Sequence, residues 1–275
     1  MIDDLPRAMH VDVDVKGASR AELPNPWITW FGADRRLAND LVCFHSAGSG
    51  ASFFRGWAAA AHPTFNVGAV QVPGRENRFV EPPPKRIRDA VADMAEALTE
   101  GRDRPFVVLG HSMGALYALE CAHRLARRGF PPALLVLSAS TAPTPGAARF
   151  SAAERTDQEL VEHLRRLGGT PEDVLADTEL LGLVLPTLRA DLHAVDTYTV
   201  ELPLVSDVPT VLVAGSDDVH AGLDGVLAWR SILGTDVPCQ IMPGGHFYLR
   251  DAANVARLVE LCRSAVAAPA RITED

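Results

Sequence analysis

The chain has 275 residues, 47% of them hydrophobic and 22% charged, enough to bury a sizeable core in one α/β domain. With 26 basic against 35 acidic side chains the formal charge is −9, which argues against a nucleic-acid ligand, because phosphate binding needs a basic field. No apolar run approaches the ~20 residues of a membrane span, and the opening MIDDLPRAMHVDVDVKG has no apolar signal core, so a cytoplasmic protein without membrane contact is expected.

Residues 1–25 read as a poorly ordered N-terminal extension. A short apolar run, 41–44, then ends in the glycine-rich loop His45-Ser46-Ala47-Gly48-Ser49-Gly50. A second run, 66–72, stops at Pro73-Gly74. Ile87, Val91, Met94, Ala95 and Leu98 recur at helical spacing, predicting an amphipathic helix over 86–100. Strands are predicted at 106–110, 133–139, 210–215 and 239–242, and helices at 113–128, 222–233 and 252–267. Continuous apolar runs mark strands covered on both faces, and their alternation with helices predicts a mostly parallel, doubly wound sheet. Residues 150–198 break this rhythm. They hold no strand pattern but two helical ones, from Thr156 through Leu167 and from Leu180 through Leu192. An insertion of this kind before the next strand reads as a helical lid over the site. The core is expected at 26–149 and 199–268, with a C-terminal tail at 269–275. The four cysteines (Cys43, Cys121, Cys239 and Cys262) lack metal-ligand spacing and read as buried free thiols.

The chemistry-bearing motif is Gly110-His111-Ser112-Met113-Gly114, a G-x-S-x-G. It follows a buried strand and opens a helix, the setting of a nucleophile elbow, in which a sharp turn lifts the serine hydroxyl above the sheet edge. The alternative is a capping serine in a glycine-rich turn. A serine needs a base, and the base needs an acid, in the chain order Ser, Asp or Glu, His. His246 fits the base: it follows the last strand on the Pro243-Gly244-Gly245 loop, at the carboxyl edge where open α/β sheets place their sites. His193 and His220 are the competitors. Two aspartates, Asp217 and Asp218, follow the strand 210–215, and spacing does not choose between them. The oxyanion hole needs two amides; one is expected from Met113 and the other from the 45–50 loop.

Several blocks together resemble the type II thioesterases, the discrete editing enzymes that accompany polyketide synthases and nonribosomal peptide synthetases. They are CFHSAGSGASFFRGW (43–57), VQVPGRENRF (70–79), LGHSMGALYALE (109–120), LPTLRADLHAVDTY (185–198) and PGGHFYL (243–249). The PGRENR and LRAD blocks are not general features of the α/β-hydrolase fold that the resemblance implies. The family pattern falls on Ser112 as nucleophile, His246 as base and Asp218 as acid, with Val219 where the family usually has proline. It puts the oxyanion donors at the amides of Ala47 and Met113, with Ser49 interrupting a glycine pair common in the family. What this implies is release of aberrant or stalled acyl groups from the phosphopantetheine arm of an acyl or peptidyl carrier protein, met transiently by a monomeric enzyme that uses no metal or redox cofactor. Two other functions fit parts of the pattern. A general carboxylesterase or lipase on oxoesters shares the fold and triad but not the PGRENR and LRAD blocks. A non-catalytic carrier-protein-binding partner would be expected to have lost a catalytic residue.

Overall fold

The computed structural model describes residues 25–32, 36–99, 104–143, 154–201 and 208–267. Residues 1–24 of the expected extension 1–25 and the tail at 269–275 lie outside them. Seven strands form one sheet: β1 (Ile28–Phe31), β2 (Asn39–Phe44), β3 (Phe65–Val70), β4 (Phe106–His111), β5 (Leu134–Ser138), β6 (Thr210–Gly215) and β7 (Cys239–Met242). Their spatial order is β1-β3-β2-β4-β5-β6-β7. All neighbours run parallel except β1, which pairs antiparallel with β3. β1 escapes prediction because its four residues sit on the sheet edge, mostly half-buried, and lack an apolar run.

Side chains alternate across the sheet, so each strand feeds two cores. Val42, Phe44, Val108, Leu135, Leu137 and Leu212 pack on one face, against α2 (Ile87–Thr99) and α3 (Met113–Ala126). Leu41, Cys43, Val107, Leu109, Val136 and Val211 pack on the other, against α1 (Trp57–Ala61) and the C-terminal helix (Ala252–Ala267). This double burial explains why the central strands read as unbroken apolar runs. Among the described residues no helix is long and apolar enough to cross a membrane.

Residues 154–201 fold as three helices, α4 (Asp157–Leu167), α5 (Glu172–Ala176) and α6 (Thr178–Asp196). α4 opens on a full capping box, in which the Thr156 side chain accepts the Glu159 amide and Glu159 reaches back to the Thr156 amide; it closes on Gly168 at φ 72°. α5 spans barely more than one turn, too short for a periodicity to register. Leu160, Leu164, Leu175, Leu185, Leu188 and Leu192 form a small core of their own, with Ala47 of the β2 loop packed against it. The single helix expected over 222–233 is two short ones, α7 (Leu223–Leu227) and α8 (Arg230–Leu233). Between them the indole of Trp229 is fully buried and donates to the Ser140 carbonyl at 2.9 Å. The C-terminal helix is α9. Three cysteines are buried, whereas Cys239 on the β7 edge is only half-buried.

Candidate active site

The strand order reverses direction at β2: β3 lies on one side of it and β4 on the other. In such sheets the crevice forms outside the carboxyl ends of the strands at this switch point. The 45–50 loop leaves β2 there, and the elbow leaves β4 beside it.

Ser112 has φ 56° and ψ −119°, a strained conformation for a residue with a side chain. It stands at the N-cap of α3, yet its hydroxyl makes no capping bond, so the turn is not there to cap the helix. Its amide donates to the Ser138 carbonyl at 2.8 Å. The flanking glycines are required by close approach. A Cβ at Gly110 would lie 2.3 Å from the Gly114 carbonyl oxygen, and one at Gly114 would lie 2.2 Å from that of Phe44. Without them α3 could not start flush against the ends of β2 and β4. Met113 is the first helical residue, where amides lack intrahelical acceptors. Ala47, on the β2 loop, is half-buried.

His246 and Asp218 lie on the loops after β7 and β6, both buried. Their side chains meet at 2.9 Å, Nδ1 to Oδ2. Asp218 Oδ1 accepts the amides of His220 at 2.9 Å and Ala221 at 3.1 Å. Burial by itself would raise the Asp218 carboxyl; the His246 bond and charge and the two amides outweigh it and hold the group below its ordinary value. Asp217 points elsewhere: it is exposed, and its carboxylate accepts the Ser216 hydroxyl at 2.9 Å. The structure thus brings Asp218, not Asp217, to the histidine. Of the competing histidines, His193 lies on α6, while His220 stacks edge-on against the His246 ring, 5.0 Å between centroids. Among the described residues no hydrogen bond joins the Ser112 hydroxyl to His246; such bonds commonly tighten only in the substrate complex.

Several residues to which sequence reasoning gave no role support this constellation. His111 is fully buried, 5.3 Å from the His246 ring centroid. Burial, then the neighbouring His246, lowers its pKa to about 3, so it stays neutral. Its Nδ1 lies 2.9 Å from Ser138 Oγ, which lies 2.5 Å from the Tyr248 hydroxyl, which donates to the Val213 carbonyl at 3.2 Å. With one hydrogen per hydroxyl, the chain is satisfied when it runs from His111 N–H through Ser138 to Tyr248. It ties the His246 loop to the elbow across two strands. Phe53 stacks on His111 and Phe247 packs against His246, with centroids 5.9 and 5.2 Å apart. No spacing rule marks these residues, because they come from five separate segments.

Residues 39–266 match the family model described as a thioesterase domain. The chain is 36% identical over 228 residues to the thioesterase PikA5 of Streptomyces venezuelae, covering 82% of this chain and 80% of that one. It is 31% identical over 229 residues to the gramicidin S biosynthesis protein GrsT of Aneurinibacillus migulanus, covering 83% and 90%. The solved structure of the type II thioesterase BorB from the borrelidin biosynthetic cluster superposes with a TM-score of 0.76 at 32% identity, covering 88% of this chain and 98% of that one. The chain therefore belongs to the thioesterase family, as a hydrolase of α/β-hydrolase fold allied to the type II thioesterases of polyketide and nonribosomal peptide biosynthesis.

Proposed function

We propose that this thioesterase hydrolyses acyl groups from the phosphopantetheine arm of a carrier protein, clearing aberrant or stalled intermediates, through a Ser-His-Asp acyl-enzyme mechanism. The observation that carries the mechanism is the buried 2.9 Å contact between His246 and Asp218 at the sheet edge that also holds the strained Ser112 elbow. Its Nδ1 engaged by Asp218, His246 has Nε2 to take the Ser112 proton as Oγ attacks the thioester carbonyl. The carbonyl electron pair moves onto oxygen, where the amides of Ala47 and Met113 hold it. Collapse breaks the C–S bond, and the His246 proton goes to the departing sulfur. Water then gives a proton to His246 and attacks the acyl-serine. Breaking the C–Oγ bond returns that proton to Ser112 and frees the carboxylic acid. Helices α4–α6 form a lid whose leucine core offers an apolar wall to the acyl chain.

The carrier-protein substrate rests on the kinship with enzymes of polyketide and gramicidin S biosynthesis. The protein acts as a monomer that meets the carrier transiently. Ser112→Ala should keep the fold but lose hydrolysis by about three or more orders of magnitude, read as thiol release from acyl-carrier protein. Turnover at the wild-type rate in that variant would remove the mechanism. Faster cleavage of p-nitrophenyl esters than of acyl-carrier thioesters would point to a carboxylesterase instead.

A further inference from the structure

Arg75 of the PGRENR block and Asp191 of the LRAD block are 116 positions apart and buried together, with side chains 7% and 2% exposed. Arg75 grips the Asp191 carboxylate with both terminal nitrogens, Nη1 to Oδ2 at 2.6 Å and Nη2 to Oδ1 at 2.7 Å. Both partners also bond the β2 loop. The Gly48 amide donates to Asp191 Oδ2 at 2.8 Å, and Arg75 Nη1 donates to the Ser49 carbonyl at 3.1 Å. The guanidinium is itself held by the Pro73 carbonyl, at 3.3 Å from Nε and 3.2 Å from Nη2. Beside the pair, Thr187 donates its hydroxyl to the Gly74 carbonyl at 2.8 Å. Leu188 lies so close over Gly48, at φ 69°, that a Cβ there would come within 3.1 Å of its Cδ1.

We infer that Arg75 and Asp191 are positioning residues: their buried ion pair clamps the β2 loop at Gly48 and Ser49 and so aims the Ala47 amide at the oxyanion. This rests on the serine mechanism proposed above. Fixing the Gly48 N–H fixes the whole planar peptide between Ala47 and Gly48. The preceding amide, which carries the Ala47 N–H, then keeps only the two torsions of Ala47 as freedom. An oxyanion hole works by being set in place before charge develops, so lost aim costs rate rather than ground-state binding. Asp191 rides on α6, so the donor is aimed only while α6 is seated, and the lid and the oxyanion hole form one unit. Two blocks that mark the sequence as a type II thioesterase thereby acquire a shared physical task.

The test uses the full chain, with hexanoyl-N-acetylcysteamine as substrate, a heptyl trifluoromethyl ketone that becomes an oxyanion on Ser112, and the matching methyl ketone as an unreactive control. The double variant Arg75→Met/Asp191→Leu removes the clamp without leaving a buried charge unpaired, which is what threatens folding in either single loss. Its kcat should fall about 100-fold, near the loss of one oxyanion donor, with KM within about threefold. Its affinity for the trifluoromethyl ketone should fall by a similar factor while the methyl ketone binds as before. Arg75→Lys, which keeps the charge but not the two-pronged grip, should fold and show a smaller loss in the same two readouts. Wild-type kcat in the double variant overturns the inference; so does a reduced kcat with unchanged trifluoromethyl ketone affinity, since a purely structural role moves one without the other. If the double variant does not fold, the Arg75→Lys readouts decide by the same criteria. Ser112→Ala run in parallel separates the premises. Activity surviving there removes the serine mechanism and the clamp with it, whereas an inactive Ser112→Ala beside a fully active double variant removes the clamp alone.

Discussion

At the scale of single residues the site is decided by which carboxylate reaches which ring. Asp217 and Asp218 are adjacent and chemically identical, yet only Asp218 turns inward, held by the amides of His220 and Ala221. Asp218→Asn should therefore cut kcat far more than Asp217→Asn, by about 10⁴ if it fixes the wrong His246 tautomer as in the serine proteases. Steady-state kinetics on one thioester with both variants reads this directly, and the reverse ranking would move the acid to Asp217. Ser112, His246 and the pair of aspartates were legible in the sequence because each follows a strand on a loop of small residues. His111, Ser138 and Tyr248 were not. Their partnership depends on hydrogen bonds between side chains from different strands, which no local spacing encodes.

Elements, rather than residues, explain the glycines of the elbow. Gly110 and Gly114 are there because α3 begins against backbone atoms of β2 and of its own first turn, and backbone cannot move aside as a side-chain tip can. Gly114→Ala should overpack this junction at a cost of about 3 kcal/mol. For a domain of this size that lowers Tm by roughly 6–12 °C; a calorimetric scan with Tm unchanged would contradict the packing argument. The elements that were hard to read share a cause. β1 is a half-exposed edge, α5 is little more than a turn, and α7 and α8 wrap one buried tryptophan rather than presenting a continuous stripe. Periodicity needs several turns of consistent burial, and these segments do not have it. Where burial follows a consistent pattern, prediction and structure agree closely, as at β6 and α9.

For the whole molecule, three buried neutral histidines set the response to acid. Burial first, then Arg75, lowers His45 to about 4; burial, then His246, lowers His111 to about 3; burial, then His220, lowers His163 to about 4. In the unfolded chain each would titrate near 6.5, so on acidification the unfolded state takes up protons first. Their contribution is complete above about pH 6.5 and drains away as pH falls toward 4. The Asp218 carboxyl, held below its ordinary value, adds a further loss below about pH 4. The unfolding free energy from denaturant titrations should fall steadily from pH 6.5 to 4, by on the order of 3 kcal/mol for each of these histidines. His111→Asn should flatten the slope, and an unchanged slope would show that this imidazole does not carry its share.

The sequence by itself determined the class of the protein: a doubly wound sheet, a serine on a strand-to-helix turn, and blocks shared with one thioesterase family. Those features are local, written as runs of apolar residues, glycines at a sharp turn and short motifs, so they survive being read in one dimension. The tertiary structure decided what depends on closure across the chain: Asp218 over Asp217, the His111–Ser138–Tyr248 chain, and the meeting of Arg75 with Asp191 around the Gly48 amide. Each of these joins residues tens of positions apart whose distance is set by sheet order and helix seating, and directional bonds choose between chemically equal candidates only once the backbone has placed them.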